Sequence, residues 1–350
     1  MTRETTHRVM VGNIPVGGGA SVTVQSMCNT RTSDAEATLA QMRRLKAAGC
    51  DIIRVAVPDE EAARALPAIL KEAPMPVVAD IHFNHKLALM ACDAGIHAVR
   101  VNPGNIGSLD RLREVARACE ARKIPIRVGV NTGSVEKAML AKYGGPTAEA
   151  LVESAAGELA VLRDIGFEDV VLSVKASNVP KCVAAYRLAA ERFDCPLHVG
   201  VTEAGTAYTG LVASAAGIGT LLNEGIGDTI RVSLTADPTE EVKAGLAILK
   251  STGLRSGGVR FVSCPTCGRT RVNLIALANA AEQRFAGLER DITIAVMGCE
   301  VNGPGEAREA DFGMAGGKGT GSLFVKGQVV KTGVPEAELL DALAELIENN

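Results

Sequence analysis

The sequence contains no tryptophan, and aromatic residues make up only 3% of its 350 residues. The core must therefore be aliphatic and rich in alanine, and a hydrophobic fraction of 47% is ample for one large domain and a smaller one. No apolar run approaches the roughly 20 residues that cross a bilayer. The first residues also lack the apolar segment of a secretory signal. We therefore expect a cytoplasmic protein that does not associate with membranes.

An excess of positive charge is also missing. The formal net charge is −3 at pH 7, which argues against a surface that binds nucleic acids regardless of their sequence. Nine cysteines in a reducing compartment should be free thiols or metal ligands rather than disulfides. Six of them stand singly and are interpreted as small apolar residues. These six are Cys28, Cys50, Cys92, Cys119, Cys182 and Cys195.

The other three cysteines lack the fourth partner that a structural zinc site needs. Cys264 and Cys267 are three positions apart, Cys299 follows much later, and all five histidines lie before position 199. An incomplete set of thiolates leaves one coordination position open for a substrate. We favour a [4Fe–4S] cluster with three cysteine ligands, while structural zinc and a thioredoxin-like redox pair are the alternatives. Glu306, after a Gly-Pro-Gly turn, is a candidate for a displaceable oxygen ligand.

Short β-branched runs alternate with alanine-rich helical patterns from residue 20 to about residue 250. Such alternation implies a parallel sheet, because right-handed crossovers bring each strand back beside the last. The predicted strands are 22–27, 52–57, 76–81, 98–102, 125–130, 169–174, 196–201 and 229–234. Eight units of this kind predict a closed (β/α)₈ TIM barrel. An open doubly wound sheet is the alternative, but its glycine-rich dinucleotide fingerprint is absent after the first strand.

The pattern changes after the last helical unit. Residues 251–258 are rich in glycine and serine and read as a short linker between a barrel at 1–250 and a second domain at 259–350. The second domain has its own α/β pattern and carries the three cysteines near the C-terminus. Its predicted elements are a strand to residue 262, a helix at 272–285, a strand at 291–296, a hairpin at 323–330 and a helix at 336–347.

Arginine interrupts four of the apolar strands, at Arg54, Arg100, Arg127 and Arg231. Buried arginine needs a partner, and the pattern offers only Asp80 and Glu203 nearby. The surplus of cations, to which Lys175 and His198 add, predicts a site for a multiply charged anion such as a diphosphate. Structural ion pairing inside the barrel is the alternative.

Other polar residues fall at or just beyond the strand ends, where a barrel of this type keeps its active site. Glu203 is the best candidate for a catalytic acid or base, because it stands at a strand end beside the cations. His82, which follows Asp80 at a strand tip, is the second candidate. The full set is Asn29, Asp80, His82, Asn102, Asn105, Asn131, Ser173, Thr202, Glu203 and Ser233.

The linker also predicts how the chain assembles. In a (β/α)₈ barrel each helix returns the chain to the end opposite the active site, and the last helix covers about 18 Å. Eight extended residues reach at most about 28 Å, which would strain a path around the barrel to its own upper rim. We therefore expect a head-to-tail homodimer in which the active site is shared between chains.

Eight ordered blocks along nearly the whole chain resemble the bacterial two-domain form of the 4-hydroxy-3-methylbut-2-enyl diphosphate synthase family (IspG, also called GcpE). The insertion between the domains of plant-type members is absent, and His85 stands where relatives carry an aromatic residue. The blocks are 24–27 (VQSM), 78–83 (VADIHF), 102–107 (NPGNIG), 173–177 (SVKAS), 202–205 (TEAG), 224–229 (EGIGDT), 264–267 (CPTC) and 302–306 (NGPGE).

The resemblance implies a two-electron reductive ring opening and dehydroxylation of 2-C-methyl-D-erythritol 2,4-cyclodiphosphate, a step of the non-mevalonate isoprenoid pathway. It implies reduced flavodoxin or ferredoxin as electron donor, and a dimer in which one chain's cluster domain closes the other chain's barrel. It also implies a [4Fe–4S] cluster held by Cys264, Cys267, Cys299 and Glu306.

On this interpretation the arginines and Lys175 would hold the diphosphate together with neighbouring polar groups. Glu203 would supply a proton to the departing hydroxyl, and Asp80 and His82 would shape the hydrogen-bond network. The competing functions are a non-redox barrel enzyme, such as a pterin-type transferase with structural zinc, and a non-catalytic iron–sulfur carrier. The substrate-binding set is Arg54, Arg100, Asn102, Arg127, Asn131, Ser173, Lys175, His198, Arg231 and Ser233.

Overall fold

The computed structural model describes residues 2–102, 109–300 and 303–350, except for the side chains of Pro304 and Glu306. The chain divides into two compact units, with the division between Arg255 and Ser256. In the described parts, no helix has both the length and the apolar character that crossing a membrane requires.

The first unit begins with a short antiparallel hairpin, β1 (Val9–Val11) and β2 (Ile14–Val16). Eight further strands form a parallel sheet in the order β8-β7-β6-β5-β4-β3-β10-β9. A parallel bridge between Leu172 and Leu197 joins the two ends of this order and closes the ring. These strands are β3 (Thr23–Met27), β4 (Ile52–Ala56), β5 (Val77–Ile81), β6 (Ala98–Val101), β7 (Ile126–Asn131), β8 (Val170–Lys175), β9 (His198–Val199) and β10 (Thr229–Ile230).

Helices connect the strands on the outside of the ring. Several of them begin at an Asp, Asn or Thr side chain that accepts a backbone N–H of the first turn, as Asp34 and Asn178 do. The predicted TIM barrel is therefore confirmed. The helices are α1 (Ala35–Ala47), α2 (Glu60–Glu72), α3 (His85–Asp93), α4 (Leu109–Glu120), α5 (Lys137–Tyr143), α6 (Ala148–Asp164), α7 (Val179–Arg192), α8 (Ala207–Asn223) and α9 (Pro238–Ser251).

Alternation along the strands divides the barrel interior into two parts. Ile52 and Arg54 lie on one face of β4, and Val78 and Asp80 lie on one face of β5. The apolar residues Ile52 and Val78 lie nearer the amino-terminal ends of their strands. They pack against the hairpin β1–β2, including its fully buried Val9. The polar residues Arg54 and Asp80 lie nearer the carboxyl ends of the same strands. The hairpin therefore fills the amino-terminal end of the barrel, and the carboxyl end carries charge.

Two strands are shorter than the sequence predicts. The run 196–201 forms a strand only at His198–Val199, and the run 229–234 only at Thr229–Ile230. Gly200 follows the first of these, and a Cβ there would lie 2.8 Å from Lys175 Nζ. A glycine at such a close approach weakens regular pairing, which accounts for the early end of β9.

The second unit is a five-stranded sheet in the order β11-β12-β13-β14-β15, whose first three strands are parallel and whose last two are antiparallel. Its core contains Phe285, Ile294, Met314 and Leu343. The strands are β11 (Val259–Ser263), β12 (Ile292–Met297), β13 (Phe312–Gly316), β14 (Thr320–Val325) and β15 (Gln328–Pro335), and the helices are α10 (Leu274–Phe285), α11 (Gly303–Glu306) and α12 (Leu339–Glu348).

Candidate active site

A polar cavity of about 300 Å³ opens at the carboxyl ends of the barrel strands. Five of its lining side chains are cationic and one, Asp80, is a carboxylate. A TIM barrel places its active site at this end. The lining residues are Met27, Arg54, Asp80, His82, Arg100, Arg127, Val130, Asn131, Ser173, Lys175, His198, Val201, Thr202, Arg231 and Ser233.

Asp80 is the anion that holds two of the arginines. The strand register sets Asp80 of β5 beside Arg100 of β6. Arg100 Nη1 donates to Asp80 Oδ1 at 2.9 Å, and Arg54 Nε lies 3.4 Å from Asp80 Oδ2. Burial alone would raise the pKa of Asp80, but the guanidinium groups of Arg54 and Arg100 hold it below its usual range. Asp80 is therefore ionised and serves as a fixed counter-ion.

Arg127 is buried with donors to spare. Its Nη1 donates to the amide oxygen of Gln25, while its Nε and Nη2 have no partner. Only 5% of Arg127 is exposed, and buried guanidinium groups are normally paired. Because Arg127 also lines the cavity, its unpaired N–H groups are available to an anionic ligand there.

Arg231 has a partner that the sequence reasoning missed. Glu241, in the first turn of α9, lies 3.2 Å from Arg231 Nη2 and accepts the backbone N–H of Leu234 at 3.0 Å and the hydroxyl of Ser26 at 3.2 Å. Glu203, which the sequence offered as a candidate partner for structural ion pairing, forms no ion pair with these arginines among the described residues. A signal was present: Glu241 shares a helix face with the apolar residues Ala244 and Ile248, where a charge needs a buried partner.

The pKa values of Lys175 and His198 are both lowered by burial and by the neighbouring cations. Burial, followed by Arg231 and Arg127, holds the pKa of Lys175 well below its usual value. Burial, followed by Lys175 and Arg127, does the same to the pKa of His198. His198 is fully buried, and its imidazole is neutral. Contrary to the prediction from the sequence, it does not add to the positive charge. Its Nε2 has no partner and is available to a ligand.

Glu203 stands outside the group that lines the cavity. It follows Thr202, which does line it, but its own side chain is exposed. Its backbone has φ +52°, a left-handed conformation that non-glycine residues seldom adopt. Such conformations are found at functional sites more often than elsewhere.

The other predicted residues fall into three groups. Asn131, Ser173 and Ser233 line the cavity, as does His82, whose Nε2 lies 4.0 Å from Asp80 Oδ2. Asn102 is buried beside the strand ends with an unpaired Oδ1, but it does not line the cavity. Asn105 lies outside the described residues.

His85, which stands where relatives carry an aromatic residue, has a local structural role. His85 is the first residue of α3, and its Nε2 lies 3.2 Å from a carboxylate oxygen of Glu114 on the neighbouring helix α4. The imidazole therefore joins two helices of the barrel wall.

The three thiols belong to the second unit. Cys264 follows β11 directly and Cys299 comes two residues after β12, so they leave the carboxyl ends of two adjacent parallel strands. The backbone N–H of Gly298 donates to Cys264 Sγ at 3.2 Å, which brings the two segments together. Cys267 is exposed, while Cys264 and Cys299 are half-buried.

The chemistry of these thiols suits an iron–sulfur centre. The backbone N–H of Arg269, with smaller contributions from Thr270 and the Arg269 side chain, lowers the pKa of Cys267. N–H groups directed at sulfur stabilise thiolate ligands and tune cluster potentials. The side chain of Glu306 lies outside what the structure describes. Within the described part of the chain, no three His, Cys, Asp or Glu side chains are grouped closely enough to hold a metal ion.

Comparison with known families identifies the family to which this chain belongs. Residues 6–246 match the profile of the GcpE TIM-barrel domain, and residues 260–349 match that of the GcpE protein C-terminal domain. The chain belongs to the GcpE family. This confirms the resemblance drawn from the sequence blocks.

Curated relatives match this GcpE family member from end to end. One from Geobacter sulfurreducens is 57% identical and covers 99% of this chain and 98% of its own. Another from Clostridium acetobutylicum is 54% identical and covers 100% of both. Both are named 4-hydroxy-3-methylbut-2-en-1-yl diphosphate synthase (flavodoxin).

Solved structures support the barrel alone. A dihydropteroate synthase from Coxiella burnetii, in complex with pteroic acid, superposes with a TM-score of 0.50 and covers 71% of this chain and 98% of its own. Its sequence is only 11% identical, so the likeness concerns the fold and carries no pterin chemistry.

Proposed function

We propose that this protein is a 4-hydroxy-3-methylbut-2-enyl diphosphate synthase. It opens the ring of 2-C-methyl-D-erythritol 2,4-cyclodiphosphate and removes one hydroxyl as water, using two electrons. The observation that carries this assignment is the cavity, in which four arginines and Lys175 stand against one carboxylate, in a chain 57% identical to a relative of that name over 99% of its length.

The first unit would bind the substrate. Arg127 and Arg231 each keep a buried N–H without a partner, and a diphosphate presents several oxygens in the geometry that guanidinium groups recognise. Lys175, His198, Asn131, Ser173 and Ser233 surround the same space, and Asn102 lies nearby. The fixed cations would stabilise the negative charge that develops on the diphosphate as the ring opens.

The second unit would hold the iron–sulfur centre. We assign a [4Fe–4S] cluster to Cys264, Cys267, Cys299 and Glu306, because the three thiols stand at one end of the sheet with backbone N–H groups directed at two of them. A bound cluster of this kind supplies electrons one at a time and an open coordination position. The domain division that we assign is a substrate domain at 1–250, a linker at 251–258 and a cluster domain at 259–350.

Glu203 is our candidate for the proton donor, since it stands free of ion pairs among the described residues, beside the cavity residue Thr202. Asp80 has a different task, because a carboxylate held ionised by two arginines cannot donate a proton. It keeps Arg54 and Arg100 in position, and His82 extends that network.

Flavodoxin is the electron donor in the names of the relatives, and reduced ferredoxin would deliver the same electrons. We further propose a homodimer in which the cluster of one chain serves the cavity of the other. All nine cysteines are free, which suits a cytoplasmic location.

The test is anaerobic turnover of the cyclic diphosphate with a strong artificial reductant, together with analysis of iron and acid-labile sulfide. We expect the linear diphosphate as product and about four irons per chain. Zinc in place of iron, or intact iron–sulfur protein without turnover, would contradict the proposal. Glu203→Gln should lose most of its turnover and retain its iron, whereas full turnover in this variant would remove Glu203 from the acid role.

A further inference from the structure

Three cationic side chains beside the thiols have no counter-ion in the part of the chain that the structure describes. Arg269, Arg271 and Lys318 are all exposed, and none lies within ion-pair distance of a described carboxylate.

The segment that carries the arginines is packed against both thiol-bearing strand ends. The backbone N–H of Arg271 donates to the carbonyl of Gly298 at 2.9 Å, directly before Cys299. The backbone N–H of Cys267 donates to Thr270 Oγ1 at 3.0 Å, and the backbone N–H of Thr270 donates to the carbonyl of Cys267 at 3.0 Å, which closes a tight turn that contains Arg269. The two arginines therefore stand around the thiols as part of one packed structure.

Lys318 reaches the same end of the sheet from another direction. It lies in the turn between β13 and β14, and β13 is parallel to β12, so this turn follows the carboxyl end that also bears Cys299. Val272, next to Arg271, packs on Gly316, two residues before Lys318. The apolar side chain of Ile275 is 65% exposed at the start of α10, close to this segment.

We propose that Arg269, Arg271 and Lys318 form a cationic rim around the thiols on which an acidic electron-donor protein docks. The inference rests on the proposed function, since it names the surface through which that reaction receives its electrons. Complementary charge accelerates encounter and orients the partner, and a mostly polar contact with a small apolar centre suits a transient electron-transfer complex. Ile275 would supply that apolar centre.

Among the described side chains, one carboxylate lies beside the rim. The Glu300 side chain approaches the backbone of Gly317, where an added Cβ would lie 2.5 Å from its Oε2. The three cations outnumber it, so the rim keeps a positive excess although the whole chain has a net charge of −3. A local patch of opposite sign to the whole protein is the arrangement that steers an acidic partner to one place.

The second unit provides a matched control. Lys326 is also an exposed lysine in a hairpin turn, between β14 and β15, but it lies at the opposite end of β14 from Lys318. Six residues of strand separate the two turns by about 17 Å. Lys318→Glu and Lys326→Glu therefore change the charge of the domain equally and differ only in their distance from the thiols.

The experiment compares wild type, Arg271→Glu, Lys318→Glu, the double variant and Lys326→Glu as cluster-loaded full-length enzymes. KM for reduced flavodoxin is measured at several salt concentrations, beside turnover with reduced methyl viologen, a small cationic dye. For the double variant we expect KM for flavodoxin to rise at least about tenfold at low salt and its salt dependence to flatten. Turnover with methyl viologen and KM for the cyclic diphosphate should stay within about twofold of wild type in every variant.

Three results would overturn the proposal: an equal rise in KM with Lys326→Glu, an equal loss of turnover with methyl viologen, or a rise in KM for the cyclic diphosphate. The second would assign the cations to the cluster itself and the third to the substrate. If wild type failed to turn over the cyclic diphosphate with either reductant, the proposed function would fail instead. Direct binding of flavodoxin to wild type and the double variant, followed by calorimetry, would then still decide whether the rim docks the donor.

Discussion

Two glycines of the barrel, Gly129 in β7 and Gly200 directly after β9, leave the space that the cationic side chains of the cavity occupy. A Cβ on Gly129 would lie 2.7 Å from Arg100 Nε and 3.2 Å from Ser173 Oγ. A Cβ on Gly200 would lie 2.8 Å from Lys175 Nζ and would also meet the carbonyl of Arg231. Real side chains essentially never approach so closely, so any residue other than glycine would displace these cations.

We therefore expect Gly129→Ala to raise KM for the cyclic diphosphate at least about tenfold, since a displacement near 1 Å can cost more than that. Iron content should be unchanged, because the cluster belongs to the second unit. The matched control is Gly157→Ala, in an exposed position of α6 where an added Cβ meets nothing within 4 Å. Helix propensity should make this control slightly more stable, with unchanged kinetics. Normal KM in Gly129→Ala would show that Arg100 does not contact the substrate.

The pH dependence of substrate binding should depend on Lys175. Burial and the neighbouring arginines Arg231, Arg127 and Arg54 hold its pKa well below its usual value in the free cavity, and a bound diphosphate would raise it again. Between these two pKa values affinity falls as pH rises, because the ammonium must be protonated to bind the anion. Calorimetric titration with the cyclic diphosphate should show uptake of up to one proton, and Lys175→Met should bind weakly without this uptake. The same proton uptake in the variant would assign it to another group.

Sequence reasoning identified most of the cavity because its residues stand at strand ends or replace apolar residues inside strands. Arg54, Arg100, Arg127 and Arg231 were recognisable in this way. Partners that come from elsewhere were not, since Glu241 belongs to the helix after β10 and Gln25 points at Arg127 across the ring. Pairing across a barrel depends on register and closure, which a single strand pattern does not contain.

At the scale of elements, the hairpin β1–β2 is the part of the barrel that sequence did not predict. Its strands have three residues each, too few for a period of two to be recognised, and the second contains Pro15. The strand β13 (Phe312–Gly316) was missed for another reason. Its glycines resemble a turn, but a Cβ on Gly313 would collide with Phe324 and one on Gly316 with Val272, so they are required by packing.

The hairpin should contribute to barrel stability through one face only. Val9 is fully buried against the lower barrel residues Ile52 and Val78, while its neighbour Met10 is 47% exposed. Val9→Ala should lower the free energy of unfolding by about 2 kcal/mol through lost burial and a cavity. Met10→Ala should change it by less than about 0.5 kcal/mol. Urea unfolding followed by far-UV circular dichroism measures both, and equal shifts would mean that the hairpin does not plug the barrel.

At the scale of the whole molecule, the connection between the two units is short. Helix α9 ends at Ser251, and β11 begins at Val259. Arg255 lies between them and forms two hydrogen bonds to Asp51, at 2.7 and 3.2 Å. Asp51 directly precedes β4, so Arg255 is held at the amino-terminal end of the barrel, opposite the cavity.

Only residues 256–258 then remain before β11, a reach of about 11 Å. The strands of the barrel are up to six residues long, which is about 20 Å. The shortness of this connection is what led us to propose a head-to-tail homodimer. Such a head-to-tail pair would close on itself with two equivalent sites.

This arrangement predicts that two inactive variants restore each other. Lys175→Met damages the cavity and Cys299→Ser removes a thiol, so neither homodimer should turn over the cyclic diphosphate. A heterodimer of the two would contain one site with an intact cavity and an intact set of thiols. Co-expression with different affinity tags at equal levels should give about a quarter of wild-type turnover, because about half of the pairs are mixed and one site in each is intact.

The heterodimer purified through both tags should reach about half of wild-type turnover per dimer, which separates restoration from incomplete mixing. A chain that used its own thiols would behave differently. Each mixed pair would then combine one chain without a working cavity and one without a working cluster, and no mixture would exceed the activity of the two variants alone. A fully active monomer at high dilution would lead to the same conclusion, because each chain would then use its own thiols.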